Sequence, residues 1–212
     1  MSSAMKIHRE QIIDTAMSLL DRDGLEGVTL RKIAAELHVH AGALYWHVQN
    51  KQELLDEMAN VLLSEHFTHF EGPTPEQDWS NWLHETCSRL RQAMLAHREG
   101  ARVVAGAGFG RAVMLAKLVD MTIRNLQVAG FSLRLAFLTC STILSYVYGF
   151  VIEEQAAPNA DTVSKSHASD ESILAAVYLE KQANKYTTDM DFLAGLELIL
   201  DGVKQKVMNQ LP

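Results

Sequence analysis

Apolar residues recur along the chain at helical spacing, and no stretch of any length alternates as a half-buried strand would. Over residues 9 to 23, Ile12, Ile13, Ala16, Leu19 and Leu20 fall on one face, and Gly24 follows as a C-terminal stop. Thr29 then stands as an N-cap before LRKIAAEL, whose Ile33 and Leu37 lie four apart and face inward. A turn must fall in His38-Val39-His40 if a third short helix is to run from Ala41 to His47. His38 takes the place where glycine is easiest, and histidine tolerates positive φ better than most residues. Asn50 caps a fourth helix over residues 50 to 68, with Glu53 three residues on in a close relative of the capping box. Leu54, Leu55, Met58 and Leu62 carry that helix away from the first three. Two long helices are expected near the end, at 135–152 and 189–208. The second has Phe192, Leu196, Ile199 and Val203 on one stripe, with Gly195 and Gly202 allowing close approach. Between them EEQAAPNADTVSKSHASDES, poor in large apolar residues, reads as a flexible connection and candidate pocket gate.

Three short helices with a tight turn between the second and third form a helix-turn-helix, and its third helix is the one that enters a major groove. The expected architecture is therefore all-α: a three-helix head over residues 1–52 and a larger helical body over 53–212 for ligand binding and dimerisation. The segment HVHAGALYWHVQNKQEL suits that head. Ala41, Gly42 and Ala43 are small enough for the helix N-terminus to approach base edges and phosphates, while Leu44 points back to the core. Tyr45, His47 and Lys51 offer hydroxyl, imidazole and ammonium donors to phosphate oxygens. Trp46 offers an apolar plane for a sugar or thymine methyl and an N–H for a phosphate. Arg31 is the best base reader, since a guanidinium can fork onto guanine O6 and N7. The plainer alternative is that both aromatics pack within a small helical subdomain; their spacing after a turn, as a set, favours double-stranded DNA.

Composition changes this picture in three places. The net charge of −7 does not advertise a nucleic-acid binder, but between Val28 and Lys51 three cations (Arg31, Lys32, Lys51) face one anion (Glu36), a local surplus of two. Salt screens the rest beyond about 10 Å. Cys87 and Cys140 lack metal or redox spacing and are expected as free thiols in a reducing interior, and MSSAMKIHRE lacks a secretory core, so a cytoplasmic protein is expected. LAFLTCSTILSYVYGFVI, residues 135–152, runs eighteen residues without a charge. Its seven polar or thiol side chains, and flanks of Arg134 and Glu153-Glu154 without a cluster of basic residues, predict a helix buried all round rather than a membrane span.

The stretches GLEGVTLRKIAAEL and ALYWHVQNKQELLD resemble the TetR family of bacterial repressors with high specificity over the first sixty or so residues. EHFTHFEG, LAHREGARV, VAGFSL and FLAGLELILDGV extend the resemblance to the tetracycline-repressor branch. It implies an all-α homodimer whose body binds a small molecule and thereby releases operator DNA. Carried over by position, it places Arg31 and residues 41 to 43 near bases, and Thr29, Tyr45, Trp46, His47 and Lys51 on the backbone. Polar side chains of that branch are replaced here by Ala41 and Ala43, so a different operator is expected. The magnesium–drug site departs further. The branch's histidine beyond the LAHREGARV segment is Val104 here, its threonine is Ala107, its helix-four histidine is Phe67 and its helix-five asparagine is Thr86; only Glu153 survives. Too few oxygen or nitrogen ligands remain for Mg²⁺, so the tetracycline–magnesium site is not retained.

A more apolar effector is expected instead, lined by Phe67, Leu90, Met94, Val103, Val104, Met114, Leu118, Tyr146 and Phe150, with Thr86, Thr122, Tyr146 and Glu153 as orienting polar groups. No cofactor is expected, and His69 and His97 are read as structural or exposed. GAGFG, Gly106 to Gly110, has neither a preceding strand nor a following Lys-Ser/Thr, so a hinge fits it better than a phosphate loop. An enzyme finds no support: no nucleophile–base spacing occurs, and Glu153-Glu154 face different sides of a helix. A protein-binding adaptor would lack salt-dependent retention on duplex DNA. Within the regulator reading, activation and co-ligand-dependent control stay open beside repression.

Overall fold

The computed structural model describes residues 7–74, 77–156 and 173–208, and among them every regular element is helical. The chain divides into two compact units, Met1–Val151 and Ile152–Pro212.

In the first unit α1 (Arg9–Asp23) buries Ile12, Ile13, Ala16, Met17, Leu19 and Leu20. It stops at Gly24, whose φ of 76° needs glycine, and a 3-10 turn, Leu25–Gly27, follows. α2 (Leu30–Glu36) starts at Thr29, whose hydroxyl accepts from the Lys32 backbone N–H at 3.2 Å. Its inward face is Ile33 and Ala34, with Leu37 only half-buried at the C-cap. α3 is shorter than the expected 41–47: it spans Ala41–Leu44. The Leu44 carbonyl accepts from both His47 and Val48 N–H at 2.9 Å, a tightened final turn that leads into the buried Val48.

α4 (Lys51–Phe67) begins at Asn50, whose side-chain oxygen accepts from Glu53 N–H at 2.9 Å. It is the spine of the unit, packing on α1, α5 (Trp79–Leu95), α6 (Gly100–Gly106) and α7 (Val113–Val128). Leu54, Met58, Leu62 and Leu63 are fully buried there, each worth about 1.5–3 kcal/mol of apolar transfer. α8 (Leu133–Ala156) is not buried all round. Leu135, Ala136, Thr139, Cys140, Ile143, Val147 and Val151 are buried on one stripe, while Phe137 is 56 % and Leu138 46 % exposed. A single chain supplies neighbours to only one side of so apolar a helix. By length and composition alone it could cross a membrane, yet its buried stripe carries Thr139 and Cys140 among the aliphatics.

The second unit contains the end of α8, then α9 (Ile173–Ala183) and α10 (Thr188–Met208). The connection and gate expected over 153–172 begins later than its sequence suggests, because residues 153–156 continue α8; the remainder, 157–172, lies outside the described residues, and α9 has no counterpart among the expected helices. α9 ends with Lys185 at φ 55° and the bonds Tyr186 N–H to Lys181 O (3.0 Å) and Lys185 N–H to Gln182 O (3.2 Å). Lys181 pairs with Asp191 across that turn. On α10 the buried stripe is Phe192, Leu196 and Leu200, with Ile199 and Val203 half-buried beside it.

Candidate nucleic-acid interface and effector cavity

The turn between α2 and α3 is built by backbone bonds. His38 sits at φ 54°, Val39 N–H donates to Ala34 O (2.9 Å) and His38 N–H to Ala35 O (3.1 Å), the paired bonds of a Schellman helix end. α3 then starts at His40, whose Nδ1 accepts from Gly42 N–H at 3.2 Å. That cap was not legible, because histidine is outside the usual capping set, and it occupies an amide otherwise free for a phosphate. Leu44 and Val48 anchor the segment with no exposure, and this turns Tyr45 (55 % exposed) and Trp46 (89 % exposed) outward. His38, His40, Gly42, Arg31 and Lys51 are exposed on the same head; Ala41, Ala43 and His47 are half-buried.

Charge on the head is sorted by ion pairs. Lys32 bonds Asp23 at 3.2 Å and Arg22 bonds Glu36 at 2.7 Å. The Arg22 and Lys32 hydrogen bonds hold the Asp23 carboxyl below its usual range. Among the described residues Arg31 and Lys51 have no carboxylate partner, so the positive surplus rests on them.

The head is tied to the helices behind it at two places. Asp21 accepts from Arg98 N–H (3.1 Å) and meets His97 Nδ1 (2.9 Å), while Glu99 Oε2 accepts from Leu25 N–H (2.7 Å). At the start of α4, Asp56 accepts from Gly108 N–H (2.8 Å) and Gln52 donates to Gly106 O (2.8 Å). The GAGFG stretch thus lies against α4. Neither Gly106, Gly108 nor Gly110 adopts the left-handed φ that would require glycine.

Within the body the residues expected around an effector separate into groups. Thr86, Leu90, Leu118 and Thr122 line a cavity of about 20 Å³ between α5, α7 and α8, together with Leu83, Cys87 and Cys140. Phe67, Met114 and again Leu118 line a second, of about 10 Å³, with Phe70, Lys117 and Met121. Each is water-sized, whereas small-molecule pockets run to about 300–1,000 Å³. Met94, Val103 and Val104 are fully buried and line neither; Ala107 caps α6. Tyr146 and Phe150 pack on each other at 5.8 Å, with Arg91 5.9 Å from the Phe150 ring centre, and Glu153 is exposed. The Thr86 and Thr122 hydroxyls donate to their own helices, at Trp82 O (2.7 Å) and Leu118 O (2.8 Å), leaving lone pairs for a ligand donor.

The two thiols on the cavity wall were not anticipated. Burial pushes Cys140 up to about 11 and Cys87 further, so both stay protonated at neutral pH. Among the described residues no group of three His, Cys, Asp or Glu side chains could hold a metal ion. The Val104, Ala107 and Phe67 side chains bring no ligating atom, and Thr86 brings only one neutral hydroxyl oxygen. This donor set does not fit a magnesium ion.

Two family descriptions match the chain: "Bacterial regulatory proteins, tetR family" over residues 12–58, and "Tetracyclin repressor-like, C-terminal domain" over residues 72–207. The class A tetracycline repressor from transposon 1721 of Escherichia coli is 35 % identical over 206 residues, 95 % of this chain and 92 % of that protein. A solved TetR-Q116A from Acinetobacter baumannii AYE in complex with minocycline is 34 % identical, with a TM-score of 0.76 over 94 % of each chain. BioQ solved with its double-stranded DNA operator is 29 % identical, with a TM-score of 0.69 over 93 % of this chain and 98 % of that one.

Proposed function

We propose, from the premise that this chain belongs to the TetR family of bacterial regulatory proteins, that it represses transcription as a homodimer gripping a palindromic operator, and that a small, largely apolar molecule releases it. The observation that carries this reading is the outward presentation of Tyr45 and Trp46 over the anchors Leu44 and Val48, beside Arg31 and Lys51, which have no carboxylate partner among the described residues. Residues 1–52 form the DNA-reading head and 53–212 the effector and dimer body. Arg31 and the small residues Ala41, Gly42 and Ala43 meet base edges; Thr29, Tyr45, Trp46, His47 and Lys51 meet the phosphodiester backbone. The two heads of a dimer then address half-sites about 34–36 Å apart. Members of this family act by binding, and the role inferred for this chain is binding without catalysis, in the cytoplasm.

The effector site is the α5–α7–α8 cavity, enlarged by displacing Leu118, the side chain shared by both small cavities. Its walls suit an apolar body with one or two donors for Thr86 and Thr122, and they bring no carboxylate or imidazole to a tetracycline–magnesium chelate. Filling the cavity moves α7 and the 106–112 segment before it, and that segment lies on α4 behind the head. A tenfold loss of operator affinity needs the effector to favour the released state by only about 1.4 kcal/mol.

The test is selection of duplexes from a random-sequence pool, followed by release with a panel of apolar aromatic compounds that carry one or two hydrogen-bond donors. The reading predicts one enriched palindrome, bound with strong salt dependence and freed by at least one compound in the panel. Uniform recovery of all sequences, or a protein retained equally at low and high salt, would overturn it.

A further inference from the structure

Glu53, in the first turn of α4, is only 5 % exposed, yet three bonds from three separate segments end on its carboxylate. Oε1 accepts from Arg9 Nη2 and from Arg111 Nη1, each at 2.7 Å; Oε2 accepts from the Gln49 backbone N–H at 2.9 Å. Arg9 opens α1, and Arg111 lies in the segment between α6 and α7. Gln49 belongs to the turn that carries Trp46 and His47 into α4. A glutamate at this position of a capping box needs only backbone N–H groups and water, so two guanidiniums on one of its oxygens exceed what capping requires. A buried carboxylate stripped of a cation is strongly disfavoured, so the three segments must keep their mutual placement for the site to stay satisfied.

Other α4 side chains hold the same segment without a bond to α1 or to Gln49. Asp56 accepts from Gly108 N–H, Gln52 donates to Gly106 O, and Asn60 donates to Arg111 O (3.0 Å) while accepting from Met114 N–H (3.1 Å). Of these groups, Glu53 is the one bonded to the segment, to Gln49 and to α1 at once.

We propose that Glu53 is the positioning residue through which the Arg111 segment sets the DNA-facing turn. The Arg9–Glu53–Arg111 clamp fixes Gln49, and with it residues 45–51, in the operator-competent placement. An effector that shifts the segment withdraws Arg111, and the turn loosens without any change in the residues that touch DNA. This rests on the operator-binding reading above.

The experiment measures affinity and salt slope for a duplex selected by the wild-type protein, using Glu53→Gln, Arg111→Met, their double variant and Arg111→Lys. Each of the first two should weaken binding about tenfold, within the usual range of coupling between sites. The double variant should be no weaker than the worse single one, and Arg111→Lys, which keeps one charged donor, should stay within about twofold. Salt slopes should not change. Wild-type affinity in the single variants, effects that multiply in the double, or a slope lowered by about one in Arg111→Met would overturn the clamp. Hydrogen exchange in the DNA-free protein decides the case independently, even if Glu53→Gln fails to fold or no duplex is recovered. Arg111→Met should speed exchange of the Gln49 amide about tenfold while α5 amides stay unchanged, and an unaltered Gln49 amide would overturn the proposal.

Discussion

An indole that is 89 % exposed on a folded head contributes little to the core, and Tyr45 beside it is more than half exposed. Truncating such side chains leaves stability within about 0.5 kcal/mol, so a change in DNA binding can be read directly. Tyr45→Ala and Lys51→Ala should each weaken operator binding while leaving the melting temperature in place. Lys51→Ala should also lower the salt slope by about one, and an unchanged slope in a fluorescence titration would remove Lys51 from the phosphate contacts. His38 presents the opposite case, because its φ of 54° is a left-handed conformation that costs a non-glycine residue about 1–2 kcal/mol. Part of that is returned by the lower chain entropy of histidine in the unfolded state, so His38→Gly should raise stability by roughly 0.5–1 kcal/mol in urea unfolding. His38→Val should lower it by more, since a β-branched side chain tolerates that conformation least.

At the scale of the element, the parts legible in the sequence were those with local causes. α1 with its glycine stop, the Thr29 and Asn50 caps and the left-handed His38 all follow from signals within a few residues, and the structure has each of them. α3 ends at Leu44 rather than His47 because Val48 turns inward to the core, and burial by distant residues leaves no local mark. The bond from Arg111 to Glu53 spans 58 positions and was equally unreadable. In the charge-free stretch, periodicity could not separate a helix buried all round from one buried on a single stripe, as α8 is. Nor could spacing reveal that Cys87 and Cys140 share a cavity wall. That wall carries a pH signature. Burial raises Cys140 from an ordinary 9.0 to about 11 and raises Cys87 and Tyr148 as well, so the folded chain holds these protons more tightly than the unfolded chain does. The part of that stability due to Cys140 is complete below about pH 9 and is lost as pH rises through about 11. Thermal melts should fall over that interval, less steeply in Cys140→Ala, and thiol reagents at neutral pH should label neither cysteine until the protein unfolds. Rapid labelling of the folded protein would contradict the burial.

For the whole molecule, an overall charge of −7 coexists with a head on which, among the described residues, Arg31 and Lys51 are without a carboxylate partner. Only a short-range field is needed at a phosphate, because salt screens charges beyond about 10 Å. Dimerisation is typical of the family, and in this chain α8 leaves Leu133, Phe137 and Leu138 exposed, while α10 leaves Leu193 and Leu198 exposed. A second copy is the partner the functional reading supplies for these faces, since a palindrome presents two half-sites. Phe137→Glu should therefore shift the sedimenting species from dimer toward monomer and weaken operator binding at least tenfold, although residue 137 lies far outside the head. A variant still dimeric at micromolar concentration would take α8 out of the interface.

The most direct measurement is the stoichiometry and salt dependence of binding to the selected palindromic duplex, followed by analytical ultracentrifugation across a salt series. Two protomers on each duplex are expected, with the logarithm of affinity falling linearly as the logarithm of salt concentration rises. A single protomer per duplex, or an affinity indifferent to salt, would contradict the account.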